Sequence, residues 1–269
     1  MTAVRDSWRL AVGTFTAVPV TPPERTDHGV AGGAMLLAPL TAIPALLGWA
    51  VLGVAAAQGV LPPAVAGALA LVVTALLSRA MHLDGLADTA DGLSASYDRS
   101  RALEVMRRGD TGPSGAAALV LTLLVQATCL ASLSTSPLGL CLAAVTLLSS
   151  RLAPAMCARV GVPAARDDGL GRTVAGSVRT HDAAALVALF GGVAALAVGL
   201  TGAMDGHGPA SAAGGLAVVV GAVVAALALA RRATARLGGV TGDVFGAAVE
   251  IALTAALVVA TAAYGLITR

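Results

Sequence analysis

The 269 residues of this chain are 57% hydrophobic and only 12% charged, and its mean hydropathy is +0.85. Soluble domains carry about a quarter charged residues, so this composition excludes an ordinary soluble domain and predicts an integral membrane protein. All 17 basic residues are arginine, which excludes chemistry that needs a lysine, such as Schiff-base formation or a Walker phosphate loop.

The chain begins with a short apolar run that ends in a proline-rich stretch, so we expect residues 1–30 to form an interfacial or re-entrant segment. Seven apolar segments long enough to cross a bilayer follow, and Pro39 and Pro44 should kink the first. The sequence therefore predicts an all-α polytopic membrane protein with a single membrane-embedded domain over residues 1–269. The predicted spans are about 33–57, 61–81, 115–133, 138–157, 183–203, 211–230 and 245–267.

Charged residues are concentrated in alternate connections. The N-terminus and residues 82–114, 158–182 and 231–244 hold nearly all of them, whereas the other connections hold only Asp205. The positive-inside rule therefore places the N-terminus and the three long loops in the cytoplasm and the C-terminus outside. Reactive groups gathered at this cytoplasmic face favour an enzyme acting on a soluble substrate over a transporter, which would bury polar groups at mid-membrane.

The string HLDGLADTADGL at residues 82–93 places three carboxylates in a chain otherwise suited to lipid. A helix turns about 100° per residue, so Asp84, Asp88 and Asp91 would form one stripe. A row of like charges indicates a cation in front of it, and such oxygen ligands suit Mg²⁺ or Mn²⁺. The alternative is a solvated helix face, although such a face would normally include basic residues. His82 points to the opposite side and is equally well explained as an interfacial histidine.

Residues 106–115, MRRGDTGPSG, form a glycine-rich segment before the third apolar span. Pro113 or Ser114 can start that helix, and a glycine-rich loop at a helix N-terminus offers backbone N–H groups to phosphate. An ordinary loop with inside-positive arginines is the alternative. Asp110 is either a further metal ligand or a partner for those arginines. The phosphate contacts predicted here come from Arg107, Arg108, Gly112 and Gly115.

A similar segment, GGVTGDVFGAAVE, opens the last span at residues 238–250, with Gly239 and Gly242 as candidate phosphate contacts. Asp243 lies at the start of this span and is either a functional carboxylate or only a helix N-cap. Glu250 lies two turns into the membrane helix, where a carboxylate is costly unless it is paired or functional. Its structural alternative is an ion pair with Arg79 or Arg151.

Together these strings resemble the cobalamin synthase family, the adenosylcobinamide-GDP ribazoletransferases. The Asp-rich string and GGVTGD are specific, and TAVPV at residues 16–20, Ser150-Arg151, Ala165-Arg166 and GLG at residues 169–171 support them in family order. Two departures stand out. The family commonly reads Met-Lys-Asp before this glycine loop, whereas here Arg107-Arg108 follow Met106 and the acid appears at Asp110. The family also often has a second acid one turn after the position of Glu250, where this chain has Leu253.

The resemblance implies a membrane enzyme in which a hydroxyl of α-ribazole, or of its 5′-phosphate, attacks the cobinamide-linked phosphorus and expels GMP. It also implies a multi-pass protein of the cell inner membrane that contacts the lipid bilayer and no nucleic acid, and it leaves room for association with other cobalamin-assembly enzymes. The predicted base is Asp91 or Asp243. The predicted metal ligands are Asp84, Asp88, Asp91, Asp110 and Glu250. The predicted substrate-binding residues are Arg107, Arg108, Gly112, Gly115, Arg151, Arg166, Gly239 and Gly242.

Two other functions fit parts of the pattern. The CDP-alcohol phosphotransferases of lipid synthesis also use an Asp- and Gly-rich membrane motif with metal, but their Asp pairs are spaced differently and carry an Ala-Arg that HLDGLADTADGL lacks. An ion-coupled transporter would need acids at mid-membrane depth and charge on both faces. The loops contradict that arrangement.

Overall fold

Thirteen α-helices make up the structure, a computed structural model that describes residues 2–269. Within this range the only β pairing consists of two isolated bridges, which join the loops at one end of the helices. The helices are α1 (Thr2–Phe15), α2 (His28–Leu37), α3 (Ile43–Ala57), α4 (Pro63–Leu77), α5 (Met81–Ala95), α6 (Arg99–Arg107), α7 (Pro113–Leu133), α8 (Pro137–Ser150), α9 (Ala153–Cys157), α10 (Gly169–Val174), α11 (Thr180–Ala203), α12 (Gly208–Leu237) and α13 (Gly242–Ile267).

The apolar helices agree with the predicted polytopic membrane protein. Six segments are long and apolar enough to cross a membrane, and the bent pair α4–α5 gives a seventh if it counts as one span. The six are His28–Ala57, Pro113–Leu133, Pro137–Cys157, Thr180–Ala203, Gly208–Leu237 and Gly242–Ile267.

The first span is broken where the prolines predicted a kink. A 3-10 turn, Ala38–Ala42, separates α2 from α3. Pro39 lies in this turn and Pro44 in the first turn of α3. Proline has no backbone N–H to donate to the preceding turn, so a regular helix cannot run through both positions. The regular α-helix is interrupted at the predicted position, and His28–Ala57 still counts as one span.

α5 turns sharply away from α4. The two axes differ by 91°, and the break contains Arg79 and Ala80, both with a φ of 55°. Such left-handed backbone ends the i→i+4 pattern of α4 and lets the chain change direction. The 91° bend turns α5 away from the direction of α4, so the two helices do not form one straight span.

α5 packs closely on the start of α13 because glycines stand at the crossing. A Cβ on Gly85 would come within 2.5 Å of the Asp243 carbonyl oxygen, and one on Gly246 within 3.0 Å of the Met81 carbonyl oxygen. Side chains at these positions would push the helices apart. This approach sets the acidic string of α5 beside the first turn of α13.

The N-terminal segment is a helix folded against α2. The Ser7 hydroxyl donates to the Val30 carbonyl at 3.1 Å, and the buried Asp6 carboxylate accepts from the Glu24 N–H at 3.3 Å. The Arg79 guanidinium donates to the Gly13 carbonyl at 3.2 Å. An interfacial position for residues 1–30 stays a prediction.

Candidate active site

The acidic string of residues 82–93 is helical, and its carboxylates lie along α5 as the spacing predicts. Asp84 is exposed to solvent, whereas Asp88 and Asp91 are buried. Burial raises the pKa of Asp88 to about 6, and repulsion from Asp84, Asp243 and Asp91 adds to the effect. The carboxylates of α5 therefore lie close enough to Asp243 of α13 to repel it.

The carboxylates that repel one another suit a cation in an open site. Within residues 2–269, no group of three or more His, Cys, Asp or Glu side chains could by itself enclose a metal ion. Mg²⁺, however, usually binds one or two carboxylates and completes its shell with water and substrate phosphate oxygens. Asp84 and Asp88, with Asp243 beside them, fit such a site.

Two of the five predicted metal ligands have different environments from the acidic stripe. Asp110 is exposed in the loop after α6 and has no protein hydrogen-bond partner in the described part of the chain. Glu250 lies two turns inside α13, where its carboxylate accepts from Gln126 at 3.0 Å. The contact with Gln126 ties Glu250 to the interior of the bundle, whereas a metal role for Asp110 stays a prediction.

Asp91 has a different environment from its neighbours on the stripe. Its two carboxylate oxygens accept the backbone N–H groups of Gly112 at 2.7 Å and Gly115 at 2.8 Å. A Cβ on Gly112 would come within 2.6 Å of a carboxylate oxygen of Asp91, and Gly115 approaches still more closely. Asp91 thus holds the glycine loop and the start of α7 against α5.

This arrangement corrects the prediction for the glycine loop. α7 starts at Pro113, as expected, but Gly112 and Gly115 donate to a carboxylate inside the protein. Their N–H groups are therefore already occupied, and they do not form the phosphate seat that the sequence indicated. The same contacts leave Asp91 less free than Asp243 to act as a base.

We expect Asp91→Ala to destabilise the protein by about 3 kcal/mol or more, because two charge-assisted hydrogen bonds would be lost. Asp91→Asn should cost less, because its amide oxygen still accepts one bond. Denaturant unfolding in detergent, compared with the binding of GMP to the same samples, checks this. A catalytic base would give the opposite result, with Asp91→Asn as stable as wild type and inactive.

Asp243 lies between α5 and the loop before α10. Its Oδ2 accepts from the Thr241 hydroxyl at 3.1 Å and lies 3.7 Å from the Arg166 Nη1. Arg166 is also anchored through Nη2, which donates to the Leu103 carbonyl at 2.9 Å. The predicted residues Asp243 and Arg166 are therefore brought together beside the acidic stripe.

The N-cap of α13 is Thr241, whose hydroxyl accepts from the Val244 N–H at 3.3 Å. The alternative that Asp243 is only a cap is therefore wrong. Gly239 packs against the loop before α10, where a Cβ would come within 2.3 Å of the Pro163 carbonyl oxygen. Gly239 therefore serves close packing. Gly242 has only ordinary contact with Leu170, and a phosphate role for it stays a prediction.

Arg107 and Arg108 lie at the end of α6, where both are partly exposed. Arg107 forms an ion pair with Asp168 at 2.9 Å, and Arg108 forms one with Glu104 at 2.9 Å. Exposed pairs of this kind contribute about 0–1 kcal/mol and can open readily to another anion. The substrate-binding role of Arg107 and Arg108 therefore stays a prediction.

Arg151 and Glu250 belong to a buried polar cluster inside the bundle. They are 3% and 4% exposed, and their opposite charges attract one another without a contact inside 4.0 Å. Arg151 donates to the Ser150 hydroxyl at 3.1 Å. This burial makes Arg151 part of the interior polar cluster, and its predicted contact with substrate stays a prediction. Arg79, the other suggested partner, bonds to Gly13 instead.

Sequence reasoning missed Gln126, which completes this cluster. Its amide donates to the Glu250 carboxylate at 3.0 Å and to the Thr254 hydroxyl at 3.0 Å. The signal available in the sequence was a single amide side chain within the predicted apolar span 115–133, and the structure shows that this side chain is fully buried. His82 lies in the same region, buried, with neither ring nitrogen bonded to a protein group.

Comparison with known proteins places this site in a family. The family described as Cobalamin-5-phosphate synthase matches residues 7–261. A protein of Nocardioides sp. named adenosylcobinamide-GDP ribazoletransferase is 48% identical over 94% of this chain and 97% of its own length. Proteins of the same name from Frankia casuarinae and Bradyrhizobium diazoefficiens are 43% and 35% identical, over 93% and 94% of this chain and 92% of each relative.

No solved structure matches the chain. The family match covers α1 to most of α13 and therefore includes the acidic stripe, the glycine loop, Arg166 and Asp243. The fold and the site described above fall within one continuous region of similarity. The chain belongs to the Cobalamin-5-phosphate synthase family.

Proposed function

We propose that this protein joins adenosylcobinamide-GDP to α-ribazole, or to α-ribazole 5′-phosphate, and releases GMP. A ribose hydroxyl of the acceptor attacks the cobinamide-linked phosphorus, and the bond from that phosphorus to the oxygen of GMP breaks. The observation that carries the proposal is the gathering of Asp84, Asp88, Asp243 and Arg166 at one end of the helices. Family membership supports the choice of substrates.

The carboxylates of Asp84 and Asp88 are the residues that would hold Mg²⁺ or Mn²⁺, and Asp243 lies beside them without being a ligand. Bound there, the ion would neutralise the pyrophosphate and stabilise the charge on GMP as it leaves. Burial and mutual repulsion, which raise the pKa of Asp88 to about 6, support a site that is incomplete without a cation. Two carboxylates leave room for substrate oxygens.

Arg166 is suited to hold a substrate phosphate. Its guanidinium is fixed on one side by the Leu103 carbonyl, and its Nε is buried without a protein partner. Guanidinium donors pair well with phosphate oxygens and stabilise charge that develops on them. Because Nη1 lies 3.7 Å from Asp243, the phosphate and the carboxylate would be neighbours.

Asp243 is the better candidate for the base that takes the proton of the attacking hydroxyl. Only one of its oxygens has a hydrogen-bond donor, the Thr241 hydroxyl, whereas both oxygens of Asp91 are occupied. A base must lie within hydrogen-bond reach of the proton that it removes. Asp243, beside the phosphate-binding Arg166, meets that requirement more readily.

The proposed location is the cell inner membrane, with the site at the cytoplasmic face. The segments with most charges, residues 82–114, 158–182 and 231–244, meet at one end of the helices, as the contacts of Arg99 with Ala165 and of Arg236 with Ser96 illustrate. Arginine-rich connections on one side favour the cytoplasm for that side. Association with other cobalamin-assembly enzymes stays a prediction.

GMP release from adenosylcobinamide-GDP tests the function directly. Purified protein in nanodiscs, supplied with α-ribazole and Mg²⁺, should release GMP, and a chelator should stop the release. Excess Mg²⁺ should then restore it. Folded protein that releases no GMP, but releases CMP from CDP-alcohol donors, would contradict the proposal and favour the lipid-synthesis class.

A further inference from the structure

An exposed aromatic ring stands between α5 and α6. Tyr97 is 89% exposed, and the guanidinium carbon of Arg236 lies 4.3 Å from its ring centroid. This distance is that of a cation–π contact. One face of the ring is therefore covered by a fixed charge, and most of the remaining ring surface is open to a planar ligand.

Arg236 is held in place by backbone groups at the end of α5. Its Nη2 donates to the Ser96 carbonyl at 2.7 Å and to the Leu93 carbonyl at 3.3 Å. Its Nε is buried without a protein partner. The guanidinium thus has a set orientation, and it contacts the Tyr97 ring before any ligand arrives.

Membrane anchoring does not explain this ring. Aromatic belts lie at the headgroup level, beside the ends of apolar segments. The apolar part of α12 ends at Ala230, and Arg231 and Arg232 follow it. Arg236 lies six residues beyond Ala230, roughly 9 Å along the helix, so Tyr97 stands on the water side of two arginines.

The ring lies at a defined distance from the acidic stripe. Tyr97 stands two residues beyond the end of α5 at Ala95, and the helix carries the chain roughly 10 Å from Asp88 to that end. The other partner, Arg236, is near the end of α12, from which the short segment 238–241 leads directly to Asp243. Both connections place the ring at the same end of the molecule as the proposed reaction.

We infer that Tyr97 and Arg236 form a stacking platform for the guanine base of the donor nucleotide. This inference rests on the proposed function. In adenosylcobinamide-GDP, a ribose and a phosphate separate the base from the reacting phosphorus, whereas in α-ribazole only the sugar separates its base from the attacking hydroxyl. A platform beyond the end of α5, about two helical turns past Asp88, suits the longer of these two arms.

The charge around the platform suits a nucleotide. Arg99 lies against Gly238 and donates to the Ala165 carbonyl at 2.9 Å, which places another guanidinium between Tyr97 and the site. Arg231 and Arg232 precede the platform on α12. Stacking on an aromatic ring accepts any base, so the positive surroundings and the distance together select a phosphorylated nucleoside.

The test measures GMP binding without turnover, by calorimetry on purified protein in detergent. Tyr97→Ala should weaken GMP binding about 10-fold, because base stacking on an aromatic ring contributes substantially. Tyr97→Phe and Tyr97→Trp should bind GMP like wild type. Ribose 5-phosphate, which has no base, should bind equally to wild type and Tyr97→Ala. The ring is exposed, so all three variants should keep the wild-type melting temperature.

Three results would overturn the platform: unchanged GMP affinity in Tyr97→Ala, an equal loss in Tyr97→Phe, or a raised KM for α-ribazole with the donor KM unchanged. The last result would assign the ring to the acceptor. GMP binding that depends on Tyr97, in protein that releases no GMP from the donor, would support the platform and contradict the proposed reaction instead.

Discussion

Asp84→Asn is expected to lower the rate of GMP release about 1000-fold while the protein stays folded. Asp84 is exposed and has no structural hydrogen bond, so the change removes a charge and leaves the packing of α5 intact. A metal ligand in phosphoryl transfer supplies several kcal/mol of charge stabilisation, and each 1.36 kcal/mol is tenfold in rate. Steady-state GMP release at saturating donor and acceptor measures the effect.

Asp205→Asn is the matched control, because Asp205 is also exposed but lies in a connection on the other side of the membrane helices. It should keep the wild-type rate. The Mg²⁺ concentration for half-maximal activity should rise in Asp84→Asn and stay constant in Asp205→Asn. An Asp84→Asn protein with full activity would agree with the proposed reaction but would show that Asp84 is not part of the active site.

The spans and the helical stripe could be predicted from the sequence because they depend on local periodicity. A run of about 20 apolar residues predicts a membrane-crossing helix from its own length, and Pro39 interrupts such a helix because it lacks a backbone N–H. The same holds for Pro113, which starts α7 because its missing N–H costs nothing at a first helical position. The rotation of about 100° per residue in an α-helix likewise predicted that Asp84 and Asp88 lie on one face of α5.

The partners of each carboxylate could not be predicted, because they come from distant parts of the chain. Helix geometry gave Asp91 the same role as Asp88, yet Asp91 meets Gly112 and Gly115, which are 21 and 24 residues away. Glu250 meets Gln126 across 124 residues. Only packing decides which loop reaches which carboxylate, and no spacing rule for a single helix contains that information.

Glu250→Leu is expected to lower the free energy of unfolding by about 3 kcal/mol, because it leaves the buried Gln126 amide without its carboxylate acceptor and removes the negative charge nearest to the buried Arg151. Glu250→Gln should cost less, because its amide oxygen can still accept from Gln126. Unfolding by SDS titration in mixed micelles measures both. This outcome would assign Glu250 to the structure of the bundle and not to the metal site.

The double variant Arg151→Met/Glu250→Leu measures how far the stability effects of the two buried charges depend on one another. Each single change should destabilise strongly, and the double change should recover much of the loss, since it removes both charges from an apolar interior. In the same samples the Mg²⁺ dependence of GMP release should match wild type. A strong rise in the Mg²⁺ concentration for half-maximal GMP release in Glu250→Gln, with unchanged stability, would show that Glu250 is a metal ligand. The distance of Glu250 from the acidic stripe, two helical turns beyond Asp243, argues for the structural result.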